Sequence, residues 1–144
     1  DVIGFTRSIE ELVKGKHKKA LILGTGGASK AIAYALQQLG VEYLYVSRNA
    51  GNGKIAYSDV TKEIIESHTL IVNCTPLGMV GHGIEQCPDI PYEHLGENHL
   101  LYDIVYNPEN TLFLQKGAEH GAATKSGYEM WYLQALASWD IWNG

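Results

Sequence analysis

The sequence predicts an α/β domain: a mostly parallel sheet, doubly wound so that helices cover both faces. Two observations predict it. Short apolar runs of strand length alternate along the chain with stretches that carry an apolar stripe at helical spacing. Strands that alternate with helices imply βαβ units, and βαβ units imply a parallel sheet. The first strand also runs directly into a glycine turn that opens a helix. The 144 residues suffice for one such domain with one sizeable core.

The elements follow in order. Residues 8–14 (SIEELVK) predict a short helix, with Ser8 as N-cap and Glu11 as its capping-box partner. Residues 19–23 (KALIL) predict a short buried strand. Residues 28–39 carry Ala31, Ile32, Ala35, Leu36 and Leu39 on one helical stripe, closed by Gly40. Residues 43–47 (YLYVS) form the second expected strand, residues 49–53 a turn and residues 54–57 a third strand. A short helix is expected over 61–67 and a buried strand over 69–73 (TLIVN). Glycine and proline make residues 76–91 a loop. A strand over 100–103, a helix over 111–120, a strand over 122–125 and an amphipathic helix over 130–142 complete the chain.

Composition excludes several classes of function. Hydrophobic content is 45% and charged content 19%, ordinary for a soluble globular protein. The net charge of −5 argues against a nucleic-acid surface. Lys14, Lys16, Lys18 and Lys19 form one basic cluster, expected as a solvated turn. Cys74 and Cys87 are far apart and make no CxxC pair, so a reducing cytoplasm is the expected compartment. No apolar run approaches the ~20 residues of a membrane span. The six histidines show no ligand spacing, and no metal is expected. The first residues are neither a signal peptide nor a start with Met, so the chain is expected to be a piece of something longer.

The chemistry concentrates at Gly24-Thr25-Gly26-Gly27-Ala28-Ser29-Lys30-Ala31. A glycine after the strand allows the tight turn, and Gly26 lets backbone approach an anion with no Cβ in the way. The helix that follows directs free N–H groups and its positive end at that anion. The third glycine of the Rossmann fingerprint is replaced by Ser29, and Ala31 is expected to give the close helix–strand packing. The second strand ends in Ser47-Arg48-Asn49, with no acid to hold two ribose hydroxyls. Arg48 offers a planar fork to a 2′-phosphate, Ser47 and Asn49 add neutral donors, and Lys54 is a further candidate cation. The pattern favours NADP over NAD.

With these blocks in place, the chain resembles shikimate dehydrogenase in its NADP-binding domain. Asp1-Val2-Ile3-Gly4 resembles the end of an Asn-Thr-Asp-x-x-Gly motif, and residues 24–31 a Gly-x-Gly-Gly-Ala-Ser turn. Ser47-Arg48-Asn49 stands where the family has Asn-Arg-Thr. Asn73-Cys74-Thr75-Pro76-Leu77-Gly78-Met79 resembles its Asn-x-Thr-x-x-Gly-Met loop. Residues 102–108 with Thr111 resemble its Tyr-Asp-x-x-Tyr-x-Pro-x-x-Thr block. Gly127, Met130 and Gln134-Ala135 resemble its closing signature.

The resemblance implies reduction of 3-dehydroshikimate to shikimate by NADPH, in aromatic amino-acid biosynthesis. It implies that Asp1 is a catalytic residue, bonding the substrate hydroxyls and pairing with a lysine. It implies that Tyr106 and Gln134 touch substrate. It places Ile104 and Gly127 at the nicotinamide, and it adds Asn73 and Thr75, at a strand end, to the cofactor set of Gly24, Thr25, Gly26, Gly27, Ala28, Ser47, Arg48 and Asn49. Residues 1–20 are then a linker and entry helix from a substrate domain absent from the chain, and residues 21–144 the NADP-binding domain.

Two departures from the family follow. The substrate domain with its acid–base lysine is missing, and no lysine here takes its place by motif. A hydride transfer to a carbonyl needs a proton at the developing alkoxide, so the chain alone is expected to bind cofactor and do little chemistry. The stretch from Ser47 to Asn73 is also short for two βα units, and the 49–53 turn is expected to replace one helix. Three sets of residues keep plainer readings: Cys74 as a small buried residue, the aromatic residues Trp131, Tyr132, Trp139 and Trp142 as core packing or, for part of that face, as cover for the absent domain, and Asp103 as either a loop brace or a crevice residue. Rival functions are a quinate/shikimate dehydrogenase using NAD and a non-catalytic NADPH-binding module. Apolar surface left by an absent domain mimics an interface, so a homodimer stays open.

Overall fold

The computed structural model describes the backbone of residues 2–143 and the side chains of residues 2–141. Its elements are α1 (Val2–Val13), β1 (Lys19–Leu23), α2 (Gly27–Gln38), β2 (Glu42–Ser47), β3 (Lys54–Ala56), α3 (Lys62–Ser67), β4 (Leu70–Asn73), β5 (Leu100–Asp103), α4 (Leu112–Glu119), β6 (Ala123–Lys125) and α5 (Tyr128–Asn143). Single 3₁₀ turns occupy Tyr57–Asp59 and Tyr92–His94.

The six strands form one sheet in the order β3-β2-β1-β4-β5-β6, and every pairing is parallel. This is the expected doubly wound, Rossmann-like α/β fold. The strand order reverses between β1 and β4, which opens a crevice at their carboxyl ends. Alternate strand residues feed two cores. Ala20, Ile22, Leu70, Val72, Leu100 and Tyr102 pack with α1, α2 and Met130 of α5 on one face. Leu21, Leu23, Val46, Ile71 and Leu101 pack with α3, the 92–94 turn and α4 on the other. Central strands buried on both faces read as continuous apolar runs, which is why KALIL and LLYD were legible.

Where element bounds differ from expectation, packing explains the difference. Helix α1 starts at Val2, and Ser8 is no cap. Phe5, Ile9 and Val13, four apart, put one stripe into the core, and that burial overrides the local capping signal. Ser8 is buried in mid-helix, where its hydroxyl donates to the Phe5 carbonyl (2.8 Å) and shares a hydrogen bond with Tyr102 (2.6 Å). The helix of the segment expected as a linker and entry helix packs against this domain's sheet. Gly4 lets α1 cross α5 closely, since a Cβ there would collide with the Met130 carbonyl.

The expected 49–53 turn stands where a crossover helix would join β2 to β3, within the connection 48–53. It is closed by reciprocal Gly51–Lys54 backbone bonds (3.1 and 2.7 Å), and β3 still pairs parallel with β2. On α5, Met130 is buried, but Trp131, Tyr132 and Trp139 are exposed, together with Tyr128, Leu136 and Ile141. The expected core packing of those aromatic residues is corrected: apolar side chains run around this helix instead of along one face. The Trp142 side chain lies outside the described residues. No helix among the described residues is long and apolar enough to cross a membrane.

Candidate functional site

The crevice starts at the glycine turn. Gly24 has φ +99°, a conformation that favours glycine, and its N–H donates to the Val46 carbonyl (2.8 Å). A Cβ there would sit 3.1 Å from the Thr75 methyl. Gly26 caps α2 with extended backbone and no side-chain cap bond. A Cβ at Gly26 or Gly27 would meet no atom within 4 Å, and both residues are exposed at the start of α2, where the first N–H groups of a helix lack an intrahelical partner. Ser29 is fully buried and its hydroxyl donates to the Gly26 carbonyl (2.6 Å). Ser29, not the half-exposed Ala31, supplies the close packing at the third-glycine region of the motif.

At the end of β2, the Ser47 hydroxyl donates to the Asn49 carbonyl (2.5 Å) and accepts from the Asn49 N–H (3.3 Å). Its proton is spent inside the turn, which corrects Ser47 as a free donor. Arg48 is exposed and forms no ion pair among the described residues. Lys54 pairs in register with Tyr45, two positions before Ser47, so its backbone lies away from the tip of the turn. Lys30 instead covers the Tyr45 ring at 4.7 Å.

The ends of β4 and β5 are braced. Asn73 and Asp103 are register partners, and both are fully buried. Asn73 donates to Asp103 Oδ1 (3.1 Å), and its own oxygen accepts from the Thr75 N–H (3.0 Å) and hydroxyl (2.7 Å). Thr75 Oγ1 accepts in turn from the Leu77 N–H (3.3 Å). Asp103 also accepts from Val105 N–H (3.0 Å) and from Thr111 Oγ1 (2.7 Å). Burial pushes the Asp103 carboxyl up to about 6, against the lowering effect of its three hydrogen bonds. The open question about Asp103 is thus resolved: it braces loops. The Asn73 side chain is likewise a brace without exposed surface. Burial pushes the Cys74 thiol up, which matches a packing residue and not a nucleophile.

Two adjoining cavities lie beyond this brace. One, of about 400 Å³, is lined by Cys74, Thr75, Met79, Val80, Ile104 and Tyr106, among others. The second, of about 210 Å³, is lined by Ala28, Ile104, Tyr106, Gly127, Trp131 and Gln134 with Met130. Ile104 and Tyr106 belong to both. The structure therefore brings Ala28, Thr75, Ile104, Tyr106, Gly127 and Gln134 together, while Ser47, Arg48 and Asn49 stand apart at the end of β2. Asp1 lies outside the described residues. A Cβ at Gly127 would collide with the Ile104 carbonyl, so glycine is needed there for backbone packing. A larger cavity of about 770 Å³ lies near α4, among Leu77, Glu93 and Lys116, away from the glycine turn.

Trp131 was missed as a site residue. It stacks on Tyr106, with centroids 5.2 Å apart and planes at 24°. Its position four residues after Gly127 and three before Gln134 is the signal that places it on their side of α5.

The sheet order, with the glycine turn at its switch point, defines a dinucleotide-binding domain of the Rossmann type. No protein-family model matches the chain. A shikimate dehydrogenase (NADP(+)) of Caldicellulosiruptor saccharolyticus is 33% identical over 156 residues, covering 99% of this chain and 56% of that protein. The solved structure of shikimate 5-dehydrogenase from Thermus thermophilus, in complex with NADP(H) and shikimate, is 26% identical. Its TM-score is 0.75, and the match covers 99% of this chain and 56% of that one. Quinate dehydrogenase from Corynebacterium glutamicum, in complex with NAD, is 27% identical with a TM-score of 0.78, over 93% of this chain and 53% of that one. The chain spans about half the length of the curated relatives it matches. It is related along its full length to the shikimate dehydrogenases and corresponds to their C-terminal, NADP-binding part.

Proposed function

We propose that this chain is the NADP(H)-binding part of an oxidoreductase that reduces 3-dehydroshikimate to shikimate. The observation that carries this reading is the convergence of Ala28, Thr75, Ile104, Tyr106, Gly127 and Gln134 on two adjoining cavities. Those cavities stand at the same end of the sheet as the glycine turn, whose Gly26 and Gly27 are exposed and whose Ala28 lines the smaller cavity. The residues fit the cofactor. The N–H groups of Gly26, Gly27 and Ala28 offer donors to a pyrophosphate. Arg48 offers a planar fork to a 2′-phosphate. Thr75, Ile104 and the backbone at Gly127 wall the nicotinamide end. Bound there, NADPH supplies a hydride to the substrate carbonyl.

Tyr106 and Gln134 face the substrate from this side of the cleft, and Asp1 holds its hydroxyls. The alkoxide formed needs a proton. No lysine lines either cavity among the described residues, so the acid–base group belongs to a substrate domain outside this chain. Residues 1–20 lead in from that domain. Its contact with the exposed aromatic residues of α5, or a homodimer across them, and a cytoplasmic setting complete the reading. We expect no shikimate oxidation by the chain alone under conditions where a two-domain enzyme turns over; comparable rates would overturn the assignment of the lysine.

Calorimetric titration with NADP⁺ and NAD⁺ tests the cofactor. NADP⁺ binds more tightly, and Arg48→Ala weakens it about 30-fold while leaving NAD⁺ unchanged, the loss of one charge-assisted bidentate contact. Equal affinity for the two dinucleotides would reject the phosphate assignment and favour an NAD-linked quinate/shikimate enzyme.

A further inference from the structure

Asp103 has no role in the reading above, yet the fold buries its carboxylate at the base of the crevice. It is the last residue of β5, and its two oxygens reach three separate segments. Through Asn73 (3.1 Å) it holds the loop after β4, because Asn73 in turn carries both the N–H and the hydroxyl of Thr75. Through the Val105 N–H (3.0 Å) it holds the loop after β5. Through Thr111 (2.7 Å) it holds the N-cap of α4, whose hydroxyl also accepts from Leu114 N–H. The first loop supplies Thr75, Pro76 and Met79 to the wall of the cavity of about 400 Å³, and the second supplies Ile104, Val105 and Tyr106 to its wall.

A buried charge is costly unless its lone pairs are satisfied, and here three donors satisfy them. As the residues stand, both oxygens accept. A neutral carboxyl or an amide turns one of them into a donor: at Oδ1 it would face two groups that only donate, and at Oδ2 it would reverse the Thr111 hydroxyl from donor to acceptor, so a charge-assisted bond is lost either way.

We propose that ionised Asp103 is the positioning residue of the dinucleotide site, fixing the separation of the two cavity walls by holding both loops at once. This rests on the dinucleotide reading. The titratable groups coupled to Asp103 are Cys74, after β4, and Tyr92, in the 3₁₀ turn of the opposite layer. Burial holds both in their protonated forms at neutral pH, so neither competes with Asp103 for charge. Its carboxyl, pushed up to about 6, takes a proton just below neutrality. The brace then loosens.

The test uses Asp103→Asn, Thr111→Val and Thr111→Ser in the full chain. Two readouts apply: amide hydrogen exchange without ligand, and titration with NADP⁺ and NAD⁺ at about pH 7.5 and about pH 5.5, either side of the raised carboxyl. Asp103→Asn is expected to speed exchange at Thr75, Leu77 and Val105 and to weaken both dinucleotides by one common factor of about ten, the loss of a charge-assisted bond. Wild-type affinity falls on acidification relative to Asp103→Asn, a comparison that cancels the titration of the ligand's own 2′-phosphate. Thr111→Val shows part of the effect and Thr111→Ser none, so the proposal stays testable if Asp103→Asn does not fold. Unchanged exchange at those three amides, or the same acid response in both proteins, overturns it. If wild type binds neither dinucleotide, the function reading fails instead, and the exchange data alone decide whether Asp103 holds the two walls.

Discussion

At the glycine turn, a Cβ added to Gly26 or Gly27 meets nothing within 4 Å, and both residues are exposed at the N-terminus of α2. At the other end of the crevice, a Cβ added to Gly127 runs into the Ile104 carbonyl, and the polar groups of Asn73, Thr75, Asp103 and Thr111 satisfy one another. In the function proposed above, the two ends face different halves of one dinucleotide. A pyrophosphate needs donors that the protein leaves unused, and their positions come from the helix terminus itself. A flat, weakly polar ring needs apolar walls at a fixed spacing, and that spacing comes from a buried network. Changes at the turn should therefore separate binding from stability, and changes at the braced end should couple them.

The largest effect expected is on the paired glycines. Gly127→Ala forces apart the backbone of Ile104 and α5 and should cost about 3 kcal/mol. A fall in Tm of about 10 °C in thermal denaturation would show it. Gly26→Ala has a compatible backbone, φ −72° and ψ −173°, and should leave Tm within about 2 °C. It should nonetheless weaken dinucleotide binding about tenfold, because the new methyl intrudes where the anion approaches. A Gly127→Ala protein as stable as wild type would erase the contrast between the ends.

Next comes the pH dependence of stability, which sharpens the contrast because a titrating buried brace exists at one end only. Asp103 has its folded pKa raised from 3.8 to about 6 by burial. Between these values the folded chain binds more protons than the unfolded chain, so the contribution of Asp103 to stability is full below about 4 and is lost as pH rises through about 6. Unfolding free energy of wild type minus that of Asp103→Asn should fall by about 2–3 kcal/mol between about pH 4 and about pH 7. Chemical denaturation across that range measures it. A rise with pH would mean that the three hydrogen bonds outweigh desolvation. Acid should thus firm the fold while loosening the braced end.

What was legible in the sequence follows the same division. The glycine turn is contiguous, so one stretch of chain states its own geometry, and the tight turn at Gly24 and the helix start at Gly26 were legible from spacing alone. Strands β1 and β5 were legible to the residue, because both faces are buried and the apolar runs stop where burial stops. The brace is not contiguous. Asn73 and Asp103 lie 30 residues apart and meet only because β4 and β5 pair in that register. Nothing local to Asp103 separates a loop brace from a crevice residue, and Thr111 was read only as the start of a helix and a family match, with neither its cap nor its bond to Asp103 foreseen. Ser8 misled for a related reason. Its capping-box pattern is local, whereas the Phe5, Ile9 and Val13 stripe that overrides it acts through the sheet.

The smallest effect concerns Tyr106 and Trp131, which stack where the two cavities meet. Both are partly exposed, at 42% and 46%, so neither side chain contributes a full burial term. Their coupling should be near the ordinary value for an aromatic pair, about 1 kcal/mol, read from a double-mutant cycle of Tyr106→Ala and Trp131→Leu. The same cycle run on dinucleotide affinity separates two roles. If the stack only covers surface, stability carries the coupling and affinity shows none. If Trp131 holds the Tyr106 ring at the edge of both cavities, affinity carries coupling of similar size, and the braced end of the crevice extends from β5 across to α5.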